Sequence, residues 1–157
     1  MKLKYFLSLS LFFLLLSFSF SEATIRYVSK SGTSQPPYTS WQTAADSIQK
    51  CINICSFGDT VYVANGVYKE TVVMIPGLSL IGSDWDSTVV DTRGLLQPGY
   101  PSIWFKDSCY LKGFNIIVSD ENLTGNGVYI SPSLVSTSGI IEQNNIFYGI
   151  DGILSGG

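Results

Sequence analysis

Three carboxylates and one guanidinium stand close together in this chain: Asp84, Asp86 and Asp91, followed by Arg93. Trp85 separates the first two, a spacing that sets both carboxylates on one side of a turn and suits a hard cation with oxygen ligands. Asp84, Asp86 and Asp91 are therefore the candidate ligands for such a cation. Arg93 carries the planar fork that pairs with a substrate carboxylate through two parallel hydrogen bonds. Trp85 and Tyr100 offer flat rings on which a sugar face can stack, and with Arg93 they are the candidate substrate-binding residues. The same run, Gly82-Ser-Asp-Trp-Asp-Ser87, also reads as a plain polar turn, where Asp is favoured for bonding its own backbone. No residue is assigned a catalytic role.

Other chemistries are narrowed by what the sequence holds. It contains no His, which excludes a Ser-His-Asp or Cys-His nucleophilic site and a His-ligated metal within these residues. Cys51, Cys55 and Cys109 are an odd count without a CxxC pairing, and read as small buried apolar side chains. Cys51 and Cys55 lie one helical turn apart. A bridge between them would strain a helix but stays open in an oxidising compartment. Asp120 and Glu121 adjoin Asn122-Leu-Thr124, a sequon that matters only in a host that glycosylates. Tyr62 and Tyr68 join Trp85 and Tyr100 as aromatics at strand ends or loops, and some of these rings are expected to pack between neighbouring layers instead.

The elements that position these groups are short. From Gly58 to Asp91 four β-rich runs, Thr60–Ala64, Thr71–Ile75, Leu78–Ile81 and Thr88–Val90, are each closed by Gly, Asp, Asn or Pro. Several are apolar on both faces, which requires neighbours on both sides rather than a half-solvated hairpin. Parallel strands usually need helical crossovers, and none is patterned between these runs. Winding the chain into a β-helix is the remaining arrangement.

The segment Asp59-Thr-Val-Tyr-Val-Ala-Asn-Gly-Val-Tyr-Lys-Glu70, with Leu80-Ile-Gly82 and Thr88-Val-Val-Asp91, resembles the first coils of the pectin-lyase-like superfamily. The resemblance runs from Ile25 to about Leu154 and is strongest over Trp41–Asp91. It implies an all-β fold: a right-handed parallel β-helix, or solenoid, with an N-terminal amphipathic capping helix. The superfamily contains polysaccharide lyases and hydrolases, and also surface proteins without catalysis. Its lyases hold Ca²⁺ with Asp and Glu oxygens against a uronate carboxylate, which is the role the resemblance implies for the acidic group here.

Residues 1–23 read as a signal peptide: Lys2 and Lys4 begin it, an apolar run follows over 5–20, and Ser21-Glu-Ala23 is a small-x-small cleavage site. Sixteen residues broken by serines fall short of the roughly 20 apolar residues a bilayer span needs, so no membrane span is expected after the leader is removed. Without Lys2, Lys4 and Glu22, seven basic and eleven acidic residues remain, a net charge of −4. That balance argues against nucleic acid or an anionic membrane as partner.

Residues 24–57 are expected to hold a first strand, Ile25–Val28, a loop and the capping helix. Thr39 and Gln42 form a T-x-x-Q capping box. Trp41, Ala44/Ala45, Ile48, Cys51/Ile52 and Cys55 follow a helical stripe that ends before Gly58, and Trp41 is expected to anchor it in the core. Residues 58–157 hold the coils. Further strand candidates are Ser102–Phe105, Tyr110–Val118, Gly127–Ile130, Gly139–Ile141 and Asn145–Ile150. Leu111–Ile116 and Ile141–Ile146 repeat at a spacing of 30, which sets Asn115 over Asn145 as candidates for an amide ladder, with Asn144 flanking. The sequence stops within this pattern without a polar cap, so it is expected to be the front of a longer, monomeric protein.

The functional expectation is a secreted or cell-surface module, either a non-catalytic scaffold or one that contacts carbohydrate, with no cofactor. The alternative is the N-terminal part of a polysaccharide lyase or glycoside hydrolase acting on acidic polysaccharide, pectate-lyase-like, with Ca²⁺ and with catalytic coils beyond residue 157.

Overall fold

A computed structural model of the chain describes residues 22–95, 100–118, 127–130, 139–150 and 153–155. Residues 1–21 of the expected leader, the sequon at Asn122 with Asp120 and Glu121, and part of the loop before Tyr100 lie outside the described residues. Almost all regular structure is strand, and the strands form three sheets.

The first sheet contains β1 (Ile25–Val28), β2 (Thr60–Val63), β5 (Ser79–Gly82), β8 (Tyr110–Lys112) and β11 (Ile140–Glu142), in that order. The second contains β4 (Val72–Val73), β7 (Ile103–Phe105) and β10 (Val128–Ile130). The third contains β3 (Gly66–Tyr68), β6 (Thr88–Asp91), β9 (Asn115–Val118), β12 (Asn145–Ile150) and β13 (Ile153–Ser155). Every pairing is parallel except the last, between β12 and β13.

Register explains the burial. Val61, Leu80 and Leu111 are Cα partners across β2, β5 and β8, and all three are fully buried. Val72 pairs with Ile103, and Tyr68, Val90 and Ile116 align across the third sheet; these side chains join the same core. Residues on alternate positions point the other way, so Tyr27 pairs with Tyr62, Tyr62 with Ile81 and Ile81 with Lys112 on the outer face of the first sheet. The thirty-residue repeat is met in the pairing: Leu111 faces Ile141, Asn115 faces Asn145 and Ile116 faces Ile146. Asn115 Oδ1 is buried with no hydrogen-bond partner, so it accepts no bond from an amide ladder. Asn144 does the bonding instead: its Oδ1 accepts from Phe114 N at 2.9 Å, and its Nδ2 donates to the carbonyls of Leu111 and Glu142.

Several local expectations are corrected. The stretch Tyr110–Val118 is not one strand but two, broken at Gly113, whose φ of 78° is left-handed. A Cβ on Gly82 would overlap the Gly113 carbonyl, so the two glycines let successive turns stack at van der Waals contact. Strand β3, which was not anticipated, forms between β2 and β4.

The helix is much shorter than its stripe. Only α1 (Ile48–Ile52) is helical, and Ser47 rather than Thr39 is its N-cap. The reason lies in the backbone of residues 42–45. The carbonyls of Gln42, Thr43 and Ala44 accept from the N–H groups of Thr33, Gln35 and Ser34, and Ala45 bridges Tyr27 and Ser29 in extended form. Groups paired in this way cannot enter an i→i−4 ladder. Trp41 consequently lies outside the core, 47% exposed, with its ring 4.5 Å from that of Tyr27.

Candidate functional site

The acidic group divides into two unrelated arrangements. Asp84 Oδ1 accepts from Asp86 N at 3.0 Å, and its backbone carbonyl accepts from Ser87 N and Thr88 N. These bonds close the turn between β5 and β6 on itself. Asp91, at the end of β6, is buried and meets Arg93 through two parallel bonds, Nε to Oδ1 and Nη2 to Oδ2, each 2.9 Å. The Arg93 side chain holds the Asp91 carboxyl below its usual range, chiefly through that hydrogen bonding. Among the described residues no group of three or more His, Cys, Asp or Glu side chains is placed to hold a metal ion. The bidentate edge that Arg93 was expected to offer a substrate is engaged by Asp91.

Trp85 is positioned differently. It sits between Asp84 and Asp86 at the tip of the closed turn and is 50% exposed. Turns β5–β6, β8–β9 and β11–β12 all occupy the corner where the first and third sheets meet. The middle one is Gly113-Phe114, and its glycine contributes no side chain. Trp85, Gln143, Asn144 and Asn145 line a groove of about 410 Å³ at this corner. Asn144 is committed to its three hydrogen bonds, while Gln143 is exposed and stands at a left-handed φ of 52°. An aromatic face beside an exposed amide suits a sugar ring, whose C–H face stacks while its hydroxyls hydrogen-bond.

The other aromatics separate. Tyr100 is 56% exposed and is not among the residues that line this groove. Tyr68 is fully buried, with its hydroxyl donating to Ala64 O at 2.9 Å, so it is a core residue and not a stacking platform. Burial pushes its phenol up to about 12. Tyr62 stacks on Tyr27 at 6.1 Å, which covers one of its faces. On the second sheet Trp104 packs edge-on to Tyr129 at 5.1 Å, with Lys106 Nζ 5.7 Å from the Trp104 ring.

Gln143 was not singled out in the sequence, and no local signal marks it; only the stacking of the turns brings it beside Trp85. Neither a protein-family model nor any curated protein matches this chain. No helix among the described residues is long and apolar enough to cross a membrane.

Proposed function

We propose that this chain is a secreted or cell-surface right-handed parallel β-helix that contacts carbohydrate and does not itself catalyse. The order of strands supports the winding: β2, β3 and β4 enter the first, third and second sheets, then β5, β6 and β7 repeat the circuit, then β8, β9 and β10. The likeness to the pectin-lyase-like superfamily agrees with that path, and the leader over residues 1–23 supports secretion.

The observation that carries the functional reading is Trp85, half exposed on a self-closed turn and opening on the groove beside Gln143. A ring held by such a turn loses little freedom on binding, which favours stacking. Asp84 and Asp86 flank it, and none of the described residues lining the groove is cationic, so the favoured ligand is a neutral polysaccharide and Ca²⁺ is not required for the contact. The lyase reading gains less support. Asp84 is spent on turn closure and Asp91 on its pair with Arg93, so two of its three candidate ligands are engaged within the chain.

The test is retention on insoluble neutral polysaccharides and on uronate-rich ones, each with and without EDTA. The wild-type protein is expected to bind a neutral polymer regardless of EDTA. Trp85→Ala should weaken binding by up to roughly tenfold, the size of one aromatic stacking contact. Failure to bind any polymer, or undiminished binding by Trp85→Ala, would overturn the proposal; Ca²⁺-dependent release of unsaturated uronates would establish the lyase.

A further inference from the structure

Two thiols meet at the end of α1, apart from the glycan groove. Cys51 is buried in the helix's last turn, and Cys55 is part-buried just past it. The helix ends at Ile52, and beyond it the chain tightens: Ile54 N donates to Cys51 O at 3.2 Å and Cys55 N to Ile52 O at 2.9 Å. These i→i−3 bonds mean that a bridge between the two residues need not distort a continuous α-helix. The Cys55 side chain already turns back, its Sγ donating to Cys51 O at 3.3 Å. Hydrogen bonding between the thiols pushes Cys51 up and holds Cys55 below its ordinary value, and the nearby Arg26 charge acts on Cys55 in the same direction.

We propose that Cys51 and Cys55 form an intrachain disulfide by exchange with a small-molecule disulfide such as glutathione disulfide. The part-exposed Cys55 loses its proton, and its thiolate attacks one sulfur of the oxidant. The oxidant's S–S bond breaks and one glutathione thiol leaves. Cys51 then loses its proton and attacks Cys55 Sγ, which forms the protein bridge and releases the second glutathione thiol. Two protein thiols are oxidised and one external disulfide is reduced to two thiols. The buried Cys51 needs access only to its neighbour's sulfur. Cys109 takes no part: its thiol donates to Ile75 O at 3.0 Å, under the β4–β5 turn. The bridge fastens the end of α1 to the turn at Ser56–Asp59, where Asp59 accepts from Ser56 N and Thr24 N.

The folded protein is incubated with glutathione disulfide, denatured in iodoacetamide and digested with trypsin. Cleavage after Lys50 and Lys69 leaves Cys51 and Cys55 together in peptide 51–69, while Cys109 lies in peptide 107–112. The expected map shows peptide 51–69 unalkylated and lighter than its dithiol form by two hydrogens, with peptide 107–112 alkylated. Cys51→Ser is expected to stop at a lasting glutathione adduct on Cys55. A wild-type peptide 51–69 that is doubly alkylated, that retains glutathione or that is joined to peptide 107–112 would overturn the proposal. The wild-type map decides the matter even if the variant fails to fold.

Discussion

Glu70 closes the amino end of α1 from a different part of the chain: Ser47 Oγ donates to its Oε2 at 2.7 Å, and the N–H groups of Ile48 and Gln49 donate to its two oxygens at 2.9 Å each. A helix of five residues has little intrinsic stability. A carboxylate that satisfies its free N–H groups and faces the positive end of its dipole is therefore a large share of what holds it. Glu70→Ala is expected to lower unfolding stability by about 1–2 kcal/mol. The check is a denaturant titration, and an unchanged midpoint would show that the cap contributes nothing.

Tyr68 predicts a loss of stability at high pH. Its folded pKa of about 12 exceeds the ordinary tyrosine value, so the stability it contributes is fully present below about pH 10. It is lost as pH rises from there through about 12. The difference in stability between the wild-type protein and Tyr68→Phe should shrink across that window, and one tyrosine should ionise late in an absorbance titration. A difference that does not vary with pH would contradict the assignment.

Asp91 predicts the opposite dependence at acid pH. Arg93 lowers its folded pKa, so the pair's contribution is present above the usual carboxylate range and is lost as pH falls through the lowered value. Arg93→Gln is expected to cost about 1 kcal/mol at neutral pH, a modest figure because the guanidinium is partly exposed. The gap from wild type should close on acidification. Equal acid unfolding curves for the two proteins would rule this out.

Much of the strand framework was legible because its signal is local. Alternation and Gly, Asp and Asn stops mark most of the strands, and the spacing of 30 alone sets Asn115 over Asn145, as they pair. The helix was over-read for a physical reason. Ala44, Ala45 and Ile48 are all buried, as a helical stripe requires, but Ala45 is buried as an extended residue bridging Val28. Burial periodicity over a few residues does not distinguish the two conformations. Gly113 divides Tyr110–Val118 through a positive φ that strand alternation does not encode.

The candidate site was legible only in part. Trp85 could be named from its polar turn, and so could the competing reading that Asp84 closes that turn, which its bond to Asp86 N bears out. Gln143 could not be named, because its place beside Trp85 depends on the register of every intervening strand. The pairing of Asp91 with Arg93 was hidden by the same ambiguity that made it attractive: a guanidinium two residues from a carboxylate serves a ligand or its neighbour equally well.

The proposed glycan contact is tested most directly by nuclear magnetic resonance of the three tryptophan indole N–H groups while a neutral oligosaccharide is titrated. Trp41, Trp85 and Trp104 occupy separate places on the molecule and are assigned by single substitution. The account predicts a saturable shift of the Trp85 indole and the Gln143 side-chain amide, with Trp41 and Trp104 unmoved. Shifts centred on Trp104, or no saturable shift with any oligosaccharide, would contradict it.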